Sequence, residues 1–293
     1  MSKTLFTLSK MIFNPGKPAI ETLNSALLEA SESGKLSSVA LALDHGANIE
    51  CFSVNLQNSL QIAAINGYLD VVKYLVEKGA NLEAVHDNGD KTTALHFAAL
   101  NSKLDVLEYL IGTGANIETK DGNEFTPLTN TAMRGLFDVV KCLVDHGADI
   151  EGFSGNLQNS LQIATINGHL NVVKYLVEKG ANLEATPDIN DKTTALHYAA
   201  VYYKLDVLEY LIGKGANIET KDGTDLTPLA NTAWRGLFDV VKCLVDHGAD
   251  INTKVGAYGK NGIHYMISSN DGKLFLGLTL FQDYYQLIIG LDI

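Results

Sequence analysis

The chain is poor in several residue types, and each shortage excludes something. Only three of its 293 residues are cysteine, which is too few for a small disulfide-stapled fold. None of the three sits in a Cys-x-x-Cys pair, so a thiol-disulfide motif or a cysteine-rich zinc site is also excluded. Basic residues are scarce: 22 Lys and Arg against 34 Asp and Glu leave a net charge of −12. That balance speaks against nucleic acid, whose phosphates must be neutralised by clustered cations, and equally against an anionic membrane surface. There is no G-x-S-x-G, no phosphate-cradling glycine loop and no H-E-x-x-H. Enzymatic chemistry therefore has no visible seat, and neither a cofactor nor a metal is expected.

What the chain has instead is self-similarity. The stretch from Glu50 to Ile150 recurs from Glu151 to Ile251 at a constant offset of 101 residues, with roughly four positions in five identical. Inside each copy runs a shorter beat. Gly-Ala-(Asn/Asp)-(Ile/Leu) begins at Gly46, Gly79, Gly114, Gly147, Gly180, Gly215 and Gly248, at spacings of 33 or 35 residues.

Each beat is preceded by helical patterning. In the unit from Asn58 to Asn81, Leu60, Ile62, Ala63 and Ala64 mark a short first helix and Asn66-Gly67 turns the chain. Leu69, Val72, Leu75 and Val76 mark one face of a second helix, closed by Gly79. Neither stripe can be buried by its own repeat, so stability has to come from stacking. Between repeats lie extended fingers such as Thr119–Phe125 and its twin Thr220–Leu226, where Asp-Gly signals a tight turn. The two 35-residue units carry their extra residues in fingers, Val85–Thr92 and Thr186–Thr193.

The runs Thr93-Ala94-Leu95-His96 and Thr126-Pro127-Leu128, the Val-Val-Lys-x-Leu-Val helices and the Gly-Ala-Asn beat together resemble the ankyrin-repeat family. The resemblance covers residues 22–252 and implies an all-α solenoid of stacked helix-turn-helix units. Seven repeats follow, over 22–50, 51–83, 84–118, 119–151, 152–184, 185–219 and 220–252. Residues 1–21 are read as an N-terminal arm. Lys3 and Lys10 interrupt its mildly apolar start, no small-residue cleavage site follows, and Asn14-Pro15-Gly16-Lys17-Pro18 breaks the chain, so a frayed or loosely docked arm is expected rather than a targeting helix.

Residues 253–293 form a degenerate eighth repeat, in which Gly262-Ile263-His264-Tyr265 echoes the helix-opening motif, and a strongly apolar stretch, Leu274–Ile293. The expectation is a capping helix packed on the seventh repeat. A partner-binding or self-associating tail and a membrane anchor are the alternatives, the last weakened by Gln282, Asp283 and Gln286 in mid-segment.

The remaining candidate groups have structural readings. Cys142 and Cys243 occupy one position of two repeats where the family carries a buried leucine, so they read as small core hydrophobes; Cys51 has become Gly152 in the second copy. Unpaired cysteines suit a reducing, cytoplasmic home. The resemblance implies that His96 and His197 bond locally to hold a turn. His45, His146 and His247 fall near helix C-termini, where a partly cationic ring suits the dipole. His45 and His146 lie about 30 Å apart if stacked helices are ~10 Å thick, too far to share a metal. Asp87-Asn88-Gly89-Asp90 lacks the later ligands of a calcium loop.

Comparing the copies is more informative. Substitutions gather in fingers, as at Asn88/Ile189 and Phe125/Leu226, and at the ends of first helices, as at Asn101/Tyr202, Ser102/Tyr203 and Met133/Trp234. Surface loops drift anyway, but here three substitutions add aromatics, a residue class enriched at interface hot spots. In ankyrin proteins these zones line the concave groove that holds partners. The expected partner-binding residues are Tyr198, Tyr202, Tyr203, Trp234 and Arg235 in the second copy, with Met133, Arg134, Asn101, Phe125 and Ile189. The resemblance implies a non-catalytic module that binds a protein, monomeric unless the tail self-associates. The alternatives are an adaptor or intracellular-microbe effector that recruits an enzyme or host protein, and homotypic assembly through the tail.

Overall fold

The structure is a computed structural model that describes residues 19–187 and 191–250, with the backbone of residues 263–270, 273–280 and 288–292; the side chain of Trp234 lies outside the description. Fourteen helices come in pairs among these residues. In chain order they are α1 Ile20–Glu32, α2 Leu36–Asp44, α3 Ser59–Asn66, α4 Leu69–Glu77, α5 Ala94–Leu100, α6 Leu104–Gly112, α7 Pro127–Arg134, α8 Phe137–Asp145, α9 Ser160–Asn167, α10 Leu170–Glu178, α11 Ala195–Val201, α12 Leu205–Gly213, α13 Pro228–Trp234 and α14 Phe238–Asp246. They fall into two compact units. One holds the chain up to Thr131 with Leu136–Asp149; the other holds Ala132–Gly135 and Ile150 onward.

Local chemistry fixes where each pair starts and turns. Asn58 and Asn159 open α3 and α9 through capping boxes with Gln61 and Gln162, and Thr93 and Thr194 open α5 and α11 through boxes with His96 and His197. Thr227 caps α13, whose first residue, Pro228, needs no N–H there. The turn into each second helix needs a residue in the left-handed region. Glycine fills it at 34, 67, 135, 168 and 236, but Ser102 (φ 54°) and Tyr203 (φ 57°) fill it in repeats three and six.

Within each unit, first helices pack on first helices and second on second: α1 on α3 on α5 and α2 on α4 on α6 on α8 in the first, α9 on α11 on α13 and α10 on α12 on α14 in the second. Leu60, Leu75, Leu95, Leu107 and Leu110 are fully buried in the first unit, Leu161, Leu176, Leu196 and Leu208 in the second. Each contributes roughly 1.5–3 kcal/mol by leaving water. Ala63, Ala64, Ala98 and Ala99, at zero exposure, let neighbouring first helices approach closely.

A carboxylate ladder joins successive repeats along the beat. The Glu83 carboxylate accepts the Asn116 N–H at 2.8 Å and the Thr119 hydroxyl at 2.7 Å. Its register equivalent Glu184 accepts Asn217 and Thr220, both at 2.8 Å. Glu50, Glu118, Glu151 and Glu219 each take the corresponding backbone N–H at 2.7 Å.

The tail departs from expectation. Residues 263–292 hold three antiparallel strands in the order β1 Ile263–Asn270, β2 Lys273–Leu280, β3 Ile288–Asp292, not a capping helix. His264 and Tyr265, read as the echo of a helix start, lie in β1, which lies beside α13. The composition accounts for this. Leu274, Leu276, Leu278 and Leu280 alternate with Phe275, Gly277 and Thr279, a period of two, and Gly277, Gly290, Ile288 and Ile289 are weak helix formers. Asn270 pairs with Lys273 across Asp271-Gly272, a dipeptide suited to a two-residue hairpin. The repeats themselves are all-α. Residues 1–18 of the expected arm lie outside the description, and α1 begins at Ile20, inside the 1–21 boundary.

Candidate functional site

The fingers are built from the backbone outward. In the fourth, Asp121 Oδ1 accepts the N–H groups of Asn123 at 2.8 Å and Phe125 at 3.0 Å, while Oδ2 accepts the Asn130 amide at 2.8 Å. Asp222 does the same in the seventh with Thr224, Leu226 and Asn231. The Asp-Gly signal in the sequence is thus an aspartate-organised turn. Two positions before the helix cap, Leu56, Lys91, Glu124, Leu157 and Asp225 all have positive φ, between 50° and 65°. Glycine would hold that conformation at less cost, so each finger tip presents a side chain where the backbone favours none.

In the second unit one such finger is tied to the next repeat. Leu157, in the finger before α9, is 51% exposed. Its neighbour Gln158 donates from Nε2 to the Tyr198 hydroxyl at 3.4 Å, joining that finger to α11 in the next repeat. The Tyr198 ring lies 6.3 Å from the Tyr202 ring at a 37° tilt, and Tyr202, the C-cap of α11, is 50% exposed. Burial raises the Tyr198 phenol above its ordinary value, with Gln158 opposing, so it stays a neutral donor and acceptor.

The other expected residues are distributed differently. Tyr203 parts from Tyr202: its hydroxyl donates to the Asp239 carboxylate in the first turn of α14, in the next repeat. That bond holds its proton, raising the phenol's pKa. Arg235 is exposed at the C-cap of α13, immediately after Trp234. Met133 is half-buried near the end of α7, its carbonyl accepting the His169 Nε2 proton at 3.0 Å, and Arg134 beside it is exposed. In the first unit, Asn101 folds its amide back onto the Phe97 carbonyl at 2.8 Å, and Phe125 is half-buried in its finger. Ile189 lies outside the described residues.

The first unit carries a different finger surface. Val54 is 97% exposed beside Leu56, on a finger closed by pairing between Phe52 and Asn58. Leu56, Leu157 and Gln158 went unread in the sequence. The available signal was a leucine inside the turn-forming run Asn-Leu-Gln-Asn, which occurs in both copies.

Five histidines bond within the fold, and two cysteines have raised thiol pKa values through burial. His96 Nδ1 meets the Thr93 hydroxyl at 3.0 Å, the local bond expected, but Nε2 also reaches the Phe125 carbonyl of the next finger at 3.2 Å. His197 repeats this with Thr194 at 2.9 Å and Leu226 at 3.1 Å. Burial lowers the pKa of both rings, opposed by these bonds and by nearby carboxylates. His45, His146 and His247 each bond the carbonyl four residues back at 2.8 Å, at the ends of second helices. Burial pushes the Cys51 and Cys142 thiols up to about 11, which leaves them protonated and poor nucleophiles at neutral pH. Among the described residues no group of three His, Cys, Asp or Glu side chains could hold a metal, and no helix is long and apolar enough to cross a membrane.

Within each unit, paired helices stacking repeat on repeat with fingers between them define a repeat-protein scaffold. Residues 6–86, 27–121, 95–187 and 184–255 match the family described as ankyrin repeats (3 copies), and the chain belongs to the ankyrin-repeat family. Among solved structures it is similar to the ankyrin repeat domain of Bcl-3, a unique member of the IkappaB protein family, with a TM-score of 0.65 and 26% identity over 74% of this chain and 97% of that one. The human ASB11 ankyrin repeat domain shares the fold, with a TM-score of 0.64 and 23% identity over 76% of this chain and 98% of that one. Among curated proteins it is similar to protein phosphatase 1 regulatory subunit 27 of Mus musculus, 36% identical over 78 residues, and of Homo sapiens, 39% identical over 66 residues. These alignments take in about a quarter of this chain, and the chain spans about half the length of those relatives, 51% and 43%.

Proposed function

We propose that the chain is a non-catalytic protein-binding module that holds an extended segment of a protein partner against the second unit. The observation that carries this reading is the Tyr198–Tyr202 ring pair, joined through Gln158 to the finger that exposes Leu157. Two repeats contribute to this arrangement, and half the surface of Leu157 and of Tyr202 is left in water. Exposed aromatics on a rigid scaffold supply contact area at little entropic cost and dominate interface energetics. Arg235, at the end of the next first helix, and Trp234 before it in sequence are proposed as further contacts, as are Met133, Arg134, Asn101 and Phe125. Tyr203 is assigned to holding repeats six and seven together. The net charge of −12 favours a protein partner over nucleic acid.

A second reading, favoured by the similarity to a phosphatase regulatory subunit, makes the module an adaptor that brings an enzyme to a target. In both, the repeats bind and do not catalyse. Replacing Tyr198 and Tyr202 by alanine, with partner capture and thermal melting measured on the same samples, tests the ring pair.

A further inference from the structure

One lysine changes its circumstances between the two copies. In the first unit Lys91 of the third finger reaches across to Glu124 of the fourth, Nζ to Oε1 3.7 Å. The same register positions in the second unit are Lys192 and Asp225. Asp225 is one methylene shorter and closes instead on Lys221 of its own finger, at 3.1 Å. Lys192 is thereby left without a carboxylate partner among the described residues.

The fingers of repeats six and seven also enclose an open recess of about 420 Å³, lined by Lys192 and Lys221 together with Glu184, Thr186, Asn217 and Thr220. Its one acid is already used: both oxygens of Glu184 are taken up by the Asn217 N–H and the Thr220 hydroxyl, at 2.8 Å each. What remains to meet a ligand is the Lys192 ammonium and the Thr186 hydroxyl, with the Lys221 ammonium already bonded to Asp225 on one side, and the first copy has the apolar Val85 in place of Thr186. On a chain with a surplus of twelve negative charges, this recess is lined by two lysines and one acid.

We propose that the recess between the sixth and seventh fingers receives the carboxylate of an aspartate or glutamate on a bound protein segment, so that the partner is acidic where it crosses these fingers. The proposal rests on the reading of the chain as a protein-binding module. Lys192 supplies the unpaired charge, Lys221 shares its own between Asp225 and the incoming carboxylate, and Thr186 donates a hydrogen bond.

The test is a titration of the full chain with hexaglutamate in 0.15 M salt, where exposed charges more than about 8 Å apart are screened. It is followed by NMR, with hexaglutamine as the control. The expected result is saturable shifts at Lys192, Thr186 and Thr220 with hexaglutamate alone. Lys192→Gln is expected to weaken the affinity roughly fivefold, the scale of one exposed ion pair. Lys91→Gln, whose lysine is already paired, is expected to leave it unchanged. Shifts spread evenly over the lysines of both units, no shifts at the recess, or equal affinity in Lys192→Gln would each overturn the proposal. The two readings fail separately. Partner capture that survives loss of Tyr198 and Tyr202 undoes the ring pair and leaves this titration standing. A flat titration beside tyrosine-dependent capture undoes the recess alone.

Discussion

Tyr203 stands in the left-handed region and spends its hydroxyl on Asp239, thirty-six residues further on in the next repeat. Five other repeats place glycine at that turn, at no steric cost. A tyrosine there costs about 1–2 kcal/mol of backbone strain, and its solvent-exposed hydrogen bond to a carboxylate opposes that cost. Tyr203→Phe keeps the strain and loses the bond, and is expected to be less stable than the parent; Tyr203→Gly loses both and is expected to be the more stable of the two variants. Urea melts of the two variants read the difference, and a Tyr203→Phe variant as stable as the parent would show that the bond contributes nothing.

His96 and His197 make stability depend on pH. Both rings are buried and held neutral, with pKa values lowered from the ordinary 6.5. Below pH 6.5 the unfolded chain therefore binds more protons than the folded one, so their contribution is complete above that value and is lost as the pH falls below it. The urea midpoint is expected to drop between pH 7.5 and pH 5. Gln61 and Gln162 hold the same register position in repeats two and five and bridge to the next finger through Nε2, for example Gln61 to the Ala84 and Thr92 carbonyls at 2.9 Å. The double variant His96→Gln, His197→Gln is accordingly expected to fold and to lose most of that pH dependence. An unaltered pH profile would assign it to other groups.

Glu83 joins two repeats by accepting the Asn116 N–H and the Thr119 hydroxyl. Glu83→Ala removes the acceptor from both and is expected to cost about 1–3 kcal/mol. Its signature is local: hydrogen exchange at the Asn116 amide should accelerate more than at amides of α3. Uniform acceleration would mean that the residue acts on global stability only.

Much of this architecture is legible in the sequence because a repeat states its own period. The seven Gly-Ala beats, the apolar stripes and the capping residues each point to the same helix pairs, and the structure places them there. Contacts that cross from one repeat to the next were harder to read. The second bond of His96 spans twenty-nine residues, and no local pattern marks the Phe125 carbonyl as its acceptor. Tyr202 and Tyr203 look like one aromatic pair in sequence; the left-handed turn at Tyr203 separates them, sending one toward Tyr198 and the other to Asp239. Leu157 was hidden because a leucine in a turn reads as an accident until its backbone angle is known. The tail was misread for a different reason: an apolar run of twenty residues fits a helix by length, and only its alternation and its glycines favour strands.

The central claim is that Tyr198 and Tyr202 form the contact surface of a binding module. It is tested most directly by capturing partners from a lysate on the immobilised parent chain, then measuring the affinity of the recovered protein for Tyr198→Ala, Tyr202→Ala and the double variant, with thermal melts alongside. Truncating an interface tyrosine costs about 1–2 kcal/mol or more. The prediction is an affinity lower by about tenfold for each single variant, with the melting temperature of Tyr202→Ala within a few degrees of the parent. Undiminished affinity in a folded double variant would contradict the account.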